Sequence, residues 1–388
     1  MRLTGAYYGY RTTCVPWNRE AYEQETVRAI IDCIATHAAK GTAYHVVLDG
    51  QERIREVKHN SPYAKLLNQQ PNPLMTGFDF KYKLVAQLET KTTAICYVKW
   101  DGVKPRALWP ISYNDFQIYE VKGGGYAIEL TDYDGARSLL PLEDVVILRK
   151  FYCEREVGGD GIAPIQNSLD MVKASDDGFI EALAVSNKVR GLYRSKKSML
   201  DPKDVEAGQE DFARRFEAAA QSGGVVGVDA LVDYVQLNVT AYAADADQMK
   251  AVRDNLFTFW RTPEAIVKSD YTEQQGQAWT ESVIEPDWEK LGQAFSNVFF
   301  TQAERDRGNR IIFTGGNLLG ASMQTRVNVI NATRELALLT INEQRQLLGY
   351  PPVEGGDKRL VSLNYVDADK QNLYQLGEGT ESGQNEAD

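Results

Sequence analysis

Cysteine and histidine are scarce in this chain of 388 residues, which contains four cysteines and three histidines. The cysteines Cys14, Cys33, Cys96 and Cys153 are widely spaced and form no Cys-x-x-Cys pair. This spacing argues against a structural zinc site and against a disulfide framework. The histidines (His37, His45 and His59) never fall at metal-ligand spacing from a cysteine. We therefore expect ordinary surface or partly buried histidines and no metal site.

Long apolar runs and an excess of positive charge are also missing. No stretch of about 18 apolar residues occurs, so the sequence predicts no membrane-spanning helix. Residues 1–10 lack the apolar core of a secretory signal, which predicts synthesis and assembly in the cytoplasm. The formal net charge is −11 at pH 7, whereas proteins that grip duplex DNA tightly usually carry a basic face.

Motifs of catalysis are equally hard to find. Residues Gly315–Ser322 have the glycine spacing of a phosphate-binding loop, but Ala321 stands where a lysine would neutralise phosphate. No Gly-x-Ser-x-Gly elbow occurs. The neighbouring carboxylates Asp176–Asp177 and Glu143–Asp144 are more typical of solvated surface than of an acid–base pair in an acidic chain. We expect no enzyme activity and no cofactor.

The chain does contain enough apolar residues for real cores. Hydrophobic residues make up 43% and charged residues 25% of the sequence, and the length is enough for about two or three domains. Up to about residue 155, helical and alternating patterns are mixed, which predicts an α+β domain. The predicted helices cover 22–40 and 78–89, and the predicted strands cover 43–48, 92–100, 107–111, 116–121, 126–131 and 145–149.

After residue 158 the pattern becomes mainly helical. Gly158–Gly161 predicts a flexible joint, and the apolar stripe that follows predicts one long helix from Pro164 to Arg194. Further predicted elements are a helix over 201–218, strands over 224–228 and 234–239, a helix over 245–260, an amphipathic helix through Trp279 to Phe299, a strand over 309–314, and two helices within 321–348. The acidic, glycine-rich end from Gly377 to Asp388 predicts a disordered tail.

Several motifs, taken in order, resemble those of the portal proteins of long-tailed bacteriophages. Leu66–Phe78 (LLNQQPNPLMTGF) resembles the family's LLN-x-x-PNP-x-MT-x-F entry into a helix. Gly161–Ile165 (GIAPI) resembles G-x-SPI, with Ala163 where serine is common. Tyr271–Gln275 (YTEQQ) resembles YSN-x-EQQ, and Leu339–Asp357 resembles LT-x-NE-x-R followed by PP-x-x-GGD. Weaker similarities lie at 107–111, 142–149 and 261–266, whereas the first 60 residues match less clearly.

This resemblance implies a portal-protein fold with named parts. It implies a wing of mixed α and β structure (1–160), a first stem helix (161–196), a small α/β clip insert (197–242) and a second stem helix (243–268). A tunnel loop (269–276), a tunnel and wing helix with a strand (277–316), a helical crown (317–357) and a C-terminal tail (358–388) would follow. The implied function is a ring of twelve subunits at one vertex of the capsid, through which double-stranded DNA is packaged and ejected.

The resemblance also implies site residues and partners. The tunnel loop and its edge would face DNA in the channel, and the residues are Lys268, Ser269, Asp270, Tyr271, Thr272, Glu273, Gln274 and Gln275. The clip, with Lys203, Arg214 and Arg215, would dock the terminase large subunit and later the head–tail adaptor. The wing would face the major capsid protein, and no membrane would be involved. A loop with two acids and one lysine is suited to weak contact, because many lysine and arginine contacts to phosphate bind tightly.

Two alternative functions stay open at this stage. One is another structural protein of the virion, such as a head–tail adaptor, although the long helix and the clip-like insert argue against a shell subunit. The other is a nucleotide-dependent enzyme that processes nucleic acid, and ATP turnover by the purified chain would favour it.

Overall fold

The chain forms two compact units, residues 1–312 and residues 313–388. The structure is a computed structural model that describes residues 7–10, 19–121, 124–153, 155, 157–188, 191–195, 202–221, 232–236, 246–315, 323–334 and 338–359. Helices and strands are mixed in the first unit, which confirms the α+β class. The described part of the second unit contains two helices and the last two residues of one strand.

Two packed helices and a hairpin begin the described core of the first unit. After the short α1 (Arg19–Glu23), helix α2 (Glu25–Ala39) packs against α4 (Gly77–Lys91). Apolar residues at helical spacing form the buried face of α2: Val27, Ile30, Ile31 and Ile34. Strands β2 (Thr42–Leu48) and β3 (Ile54–Val57) form an antiparallel hairpin, and α3 (Pro62–Asn68) follows.

Three sheets organise the rest of this mixed region. Strand β12 (Asn309–Thr314) joins β2 and β3 in the order β12-β2-β3. Strands β4 (Thr93–Asp101), β5 (Lys104–Pro110) and β9 (Val145–Arg149) form an antiparallel sheet in the order β5-β4-β9. The third sheet has the order β1-β6-β7-β8, with the strands β1 (Tyr7–Tyr10), β6 (Asp115–Val121), β7 (Tyr126–Thr131) and β8 (Arg137–Pro141).

One apolar core joins β4 and β9 to the third sheet. Its buried members include Ile95, Tyr113, Phe116, Ile128 and Val145. Tyr113 is the polar exception, and its hydroxyl donates a hydrogen bond of 2.7 Å to the carbonyl of Thr93. The sequence does not predict strands β1 and β8, because neither has a long alternation of apolar and polar residues.

The glycines at 158–161 form a packed corner, not the flexible joint that the sequence suggested. Gly158 and Gly159 are buried, and the amide of Gly159 donates to Thr93 Oγ1 at 2.8 Å. A Cβ at Gly159 would lie 2.3 Å from the carbonyl oxygen of Lys150, so no larger residue fits this approach. The glycines are therefore required because the backbones pack closely here. The sequence alone does not show whether a glycine cluster serves close packing or flexibility.

The helical region departs from the prediction at the end of its first helix. A 3₁₀ turn (Ala163–Ile165) leads into α5 (Gln166–Lys188), which ends before the predicted Arg194. The next segment, β10 (Gly191–Ser195), is a strand that pairs antiparallel with β11 (Val232–Gln236). Pairing over five residues outweighs the helical pattern there. The predicted strand at 224–228 lies outside the described residues.

Five of the remaining helices agree with the sequence in order and type, and these are α6, α7, α10, α12 and α13 of the ranges given next. Helix α6 (Pro202–Gln221) lies beside β10, and α7 (Ala246–Phe259) packs against α5. The elements that follow are α8 (Glu264–Val267), α9 (Glu273–Trp279), a π turn (Thr280–Ile284), α10 (Glu285–Phe299) and α11 (Gln302–Asp306). In the second unit, α12 (Met323–Arg334) and α13 (Ile341–Leu347) are the two predicted helices.

Candidate functional site

The predicted tunnel segment follows two helix ends that share one terminating motif. After α7, Thr262 N donates to Phe257 O and Arg261 N donates to Thr258 O; after α8, Asp270 N donates to Ala265 O and Ser269 N to Ile266 O. These paired bonds define a Schellman motif, in which glycine usually occupies the left-handed position. Here Arg261 (φ 52°) and Ser269 (φ 60°) occupy it. Both turns therefore hold a residue with a Cβ in a conformation that normally favours glycine.

The predicted loop over Ser269–Gly276 is shorter than expected, because its last four residues are helical. Thr272 is the N-cap of α9: its hydroxyl accepts from Gln275 N at 3.3 Å, and its own amide donates to Gln275 Oε1 at 2.9 Å. This reciprocal pair is a capping box. The Thr-x-x-Gln spacing within the YTEQQ motif thus starts a helix, and Glu273, Gln274 and Gln275 lie in its first turn.

Tyr271 is held against the first turns of α9. A Cβ at Gly276 would lie 2.6 Å from Tyr271 Cε2, so the ring packs where only a glycine leaves room. Tyr271 and Gln275 also line a shallow groove of ≈ 290 Å³ with Arg261, Pro263 and Ile266 among its walls. The Tyr-x₄-Gly spacing therefore fixes the direction of an aromatic side chain that is still partly exposed.

All eight predicted tunnel residues from Lys268 to Gln275 are exposed. Lys268 Nζ pairs with Glu264 Oε1 at 2.6 Å. The hydrogen bond from Lys268 lowers the pKa of Glu264, which keeps that carboxyl ionised. With Asp270 and Glu273, the segment Lys268–Gln275 carries one positive and two negative formal charges, a sum of −1. Such a surface offers polar contact without a cluster of cations.

Buried tryptophans anchor the tunnel segment to the core of the first unit. Trp279 Nε1 donates to Thr262 Oγ1 at 3.2 Å, which ties α9 to the turn after α7. His37 of α2 meets the Trp279 ring edge-on, with 5.1 Å between centroids. Trp288 Nε1 donates to Ala38 O at 2.8 Å. Buried contacts therefore fix the exposed segment to the core at its C-terminal side.

A π turn lies between α9 and α10, directly before a proline. Glu285 N donates to Thr280 O, five residues back. Pro286 has no N–H, and in a regular helix its ring would clash with the carbonyl four residues earlier, at Ser282. The wider turn relieves this clash and lets α9 and α10 run on as one continuous helical segment, with Val283 and Ile284 buried.

A buried ion pair lies where α4, β9 and the end of α7 meet. Glu89 and Lys150 are both buried, and Lys150 Nζ contacts Glu89 Oε2. Burial raises the pKa of Glu89, and the positive charge of Lys150 opposes that rise. Trp260 Nε1 donates to Glu89 O at 3.3 Å, so the same residue also holds the turn before the tunnel segment.

Sequence analysis missed this pair, although one signal was present. Glu89 stands four residues after the buried Val85, on the apolar face of α4. A charged residue at such a position requires a buried partner. The partner itself, 61 residues away along the chain, was not visible without the fold.

The predicted docking residues of the clip lie on α6. Arg214 Nη2 contacts Asp211 Oδ1 at 2.8 Å and Arg215 Nη2 contacts Asp211 Oδ2 at 2.6 Å, so one carboxylate partly neutralises both arginines. These pairs lower the pKa of Asp211. Lys203, at the start of the helix, is exposed. Over Pro202–Gln221 three positive and five negative residues give a formal charge of −2, so α6 is not a basic helix.

The described residues contain no group of three or more His, Cys, Asp and Glu side chains placed to hold a metal ion. His45 instead hydrogen-bonds to Ser61 Oγ at 2.9 Å and to Asn309 Oδ1 at 3.0 Å, and burial lowers its pKa. Among the helices in these same parts of the chain, none is both long and apolar enough to cross a membrane. Most of the loop at Gly315–Ser322 lies outside the described residues.

The chain matches one family over most of its length. The family is described as phage portal protein, and its profile matches residues 25–349. The chain belongs to the phage portal protein family. Its role is that of a portal protein, as the sequence motifs implied. No curated protein matches the chain.

Solved structures support the fold at low sequence identity. A chain from the neck of an empty gene transfer agent particle, computed with C6 symmetry, is 13% identical with a TM-score of 0.62, covering 89% of this chain and 97% of that one. A chain from the native neck, computed with C12 symmetry, is 13% identical with a TM-score of 0.58, covering 88% and 96%. A portal protein of an HK97-family phage from Corynebacterium diphtheriae is 12% identical with a TM-score of 0.51, covering 79% and 99%.

Proposed function

We propose that this portal-family chain is one subunit of a twelve-membered ring at one vertex of a virus-like capsid. The ring would form the channel through which double-stranded DNA enters during packaging and leaves during ejection. The observation that carries the proposal is the family match over residues 25–349. The likeness to a neck chain computed with C12 symmetry supports the number of subunits.

The exposed segment Lys268–Gln275 would face the DNA in the channel. Three physical properties of this segment support that role. The segment is exposed, carries a formal charge of −1, and is anchored at one end by Trp279. DNA that must slide needs weak contacts, whereas many lysine and arginine contacts to phosphate would make binding tight and salt-dependent. The helical start of α9 would present Glu273, Gln274 and Gln275 in a defined direction.

The clip, which includes β10, α6 and β11, would dock the terminase large subunit during filling and the head–tail adaptor afterwards. The formal charge of −2 over α6 argues that Lys203, Arg214 and Arg215 meet a protein partner and not the phosphate backbone of DNA. The wing, built from the three sheets and α2 to α4, would face the major capsid protein.

Ring formation is the first test of this function. Purified protein would be imaged by electron microscopy with class averaging, and its mass measured by light scattering. We expect rings with a central hole and about twelvefold symmetry. A protein that stays monomeric or dimeric at every salt concentration would contradict the proposal. The adaptor and enzyme alternatives would then be assayed, and ATP turnover would favour the second.

Charge reversal in the tunnel segment tests its contact with DNA. Changing Asp270 and Glu273 to lysine raises the formal charge of Lys268–Gln275 from −1 to +3, since each change adds two charges. We expect retention of duplex DNA by the ring to increase and to fall steeply with added salt. The control reverses Glu120, which is exposed on β6, and Asp134, which is exposed in the turn between β7 and β8. Equal retention by both variants would contradict a DNA-facing role.

A further inference from the structure

A basic groove lies in the first unit, between residues 70–73 and the strands β4 and β5. Its volume is ≈ 390 Å³. The side chains that line it include two cations, Lys99 and Arg106, and no acid. The chain as a whole carries a formal charge of −11. The groove is therefore a positive site on an acidic protein, and its charge suits an anionic partner.

A β-bulge places Arg106 on the same side of the hairpin as Lys99. In the pairing of β4 with β5, Lys99 is opposite Ala107 and Trp100 is opposite Pro105, which leaves Arg106 as an extra residue. Neighbouring side chains of a regular strand point to opposite faces. A bulge changes the direction of a side chain locally, and Arg106 and Ala107 both line the groove. The irregular pairing thus brings two cations to one site.

Both cations are available to a partner. Lys99 and Arg106 are exposed, and within the part of the chain that the structure describes neither side chain forms an ion pair. On α6, by contrast, Arg214 and Arg215 share the carboxylate of Asp211. A carboxylate that reaches the groove would therefore form charge-assisted hydrogen bonds without first displacing an acid of this chain.

The opposite wall of the groove is a turn that a buried asparagine holds in place. Asn72 is 3% exposed. Its Nδ2 donates to Leu108 O at 2.8 Å, and its Oδ1 accepts from Leu74 N at 2.9 Å. Leu108 N in turn donates to Pro71 O at 2.8 Å. The turn is therefore tied to β5, and it presents Leu74, which is 79% exposed, in a fixed direction.

Apolar surface accompanies the two cations. Pro73 and the half-buried Trp109 line the groove, and Leu74 follows Pro73 in the chain. Grooves with aromatic walls recognise extended peptides in several families of binding domain. Duplex DNA presents a row of phosphates, and its affinity depends on how many of them are neutralised, so two cations would hold it weakly. A peptide with both acidic and apolar side chains matches both parts of the groove.

We propose that this groove binds an extended acidic segment of a partner protein. Carboxylates of that segment would contact Lys99 and Arg106, and its apolar side chains would pack against the wall that carries Leu74. The inference goes beyond the proposed ring, because every residue of the groove belongs to one chain and the site needs no neighbouring copy.

Fluorescence anisotropy with a short labelled peptide of glutamate, leucine and proline tests the proposal. The full-length protein is titrated into this probe. We expect binding that weakens by about tenfold or more in Lys99→Gln with Arg106→Gln, because the carboxylates lose charge-assisted hydrogen bonds. Leu74→Ser should weaken it by about threefold or more, because an apolar contact is lost. All three side chains are exposed, so circular dichroism should be unchanged.

Two controls separate the charge of the groove from charge elsewhere. Arg55→Gln with Lys65→Gln removes two exposed cations that do not line the groove, and this variant should bind the probe as the parent does. A second probe, with glutamine in place of every glutamate, should not bind to the parent.

The outcomes distinguish this site from the alternatives. No binding by the parent, or equal binding by the parent and the variant Lys99→Gln with Arg106→Gln, would overturn the proposal. Displacement of the peptide by a duplex oligonucleotide whose binding is insensitive to Leu74→Ser would indicate a nucleic-acid surface and would overturn it too. Electron microscopy of the same samples reports on the ring separately. A parent that binds the peptide without forming rings would refute the ring and support the groove.

Discussion

Removing the positive charge of the buried pair tests how the tunnel segment is mounted on the core. In the change Lys150→Met, the carboxylate of Glu89 loses the cation that contacts it, in a site where Glu89 is completely buried. Breaking a buried pair by removing one partner costs about 3–5 kcal/mol, because a charge is left uncompensated. For a unit of this size, about 1 kcal/mol lowers Tm by roughly 2 °C, so we expect a loss of roughly 6–10 °C.

The matched control makes the same change in an exposed pair. Lys268→Met removes the partner of Glu264, and both side chains there are largely exposed. Such exposed pairs contribute little to stability because solvent screens them, so Tm should shift far less than in Lys150→Met. Thermal unfolding followed by tryptophan fluorescence suits the comparison, because Trp260 donates to the backbone of Glu89. Equal shifts for Lys150→Met and Lys268→Met would refute the argument that burial decides the cost.

The pH dependence gives a second check on the same pair. Burial raises the pKa of Glu89 above its ordinary value. A carboxyl whose folded pKa is raised contributes stability below its unfolded pKa and loses it as the pH rises through the folded pKa. Without Lys150 the folded pKa of Glu89 rises further. The loss of Tm in Lys150→Met should therefore become smaller as the pH falls and the Glu89 carboxyl becomes protonated. The double variant with Glu89→Gln should recover much of the lost Tm, because no charge is left buried.

Three further expectations follow from single side chains. Ser269→Gly should be neutral or stabilise by up to about 1 kcal/mol, whereas Ser269→Val should destabilise by about 1–2 kcal/mol in thermal unfolding, because the site has a left-handed backbone that a branched side chain tolerates poorly. Asn342→Asp should speed limited proteolysis of residues 351–359, since it removes a donor to Val353 O and places a second carboxylate beside Asp357. Maleimide at neutral pH should modify the exposed Cys153 but not Cys96, whose thiol is buried and has a raised pKa, until the protein unfolds.

The family motifs within residues 66–79 correspond to specific local structure. In LLNQQPNP, the Asn68 side chain forms two bonds with the backbone of Ala43, and Asn72 Nδ2 donates to Leu108 O at 2.8 Å. In MTGFD, Thr76 and Asp79 form the capping box of α4. Gly77 is required because a Cβ there would lie 2.2 Å from Asn68 O. Motifs of this kind predict turns and helix starts well, because the bonds lie close along the chain or involve backbone atoms.

The motif near the end of the described chain has the same character. Thr340 and Glu343 form the capping box of α13. Asn342 donates to Val353 O and to Asp357 Oδ1, and its Oδ1 accepts from Val353 N at 2.8 Å. A Cβ at Gly356 would lie 2.2 Å from Asn342 Oδ1. The separate pieces NE and GGD in the sequence are thus two sides of one hydrogen-bonded turn.

Long-range features were the ones that sequence reasoning missed. The end of α5, the strand Gly191–Ser195 and the pairing of that strand with Val232–Gln236 depend on a partner about 40 residues away in the chain. The pair of Glu89 and Lys150 depends on where β9 ends relative to α4. A periodic pattern identifies the buried face of an element, but it does not say which other element covers that face. The sequence analysis also predicts loop over all of 269–276, whereas the threonine and glutamine of this segment form the capping box that starts α9.

The tunnel segment combines buried, hydrogen-bonded anchor residues with an exposed polar part. Residues that fix its position are buried and hydrogen-bonded, such as Thr262 and Trp279, whereas Lys268–Gln275 are exposed and carry a formal charge of −1. A rigid mount with a polar, weakly charged tip can touch a passing polyanion repeatedly without holding it, because affinity for DNA depends mainly on the number of phosphate charges that are neutralised. In the proposed function, the acidic composition of the chain and the formal charge of −2 over α6 would serve the same requirement, since a channel protein that bound DNA tightly would stop its movement.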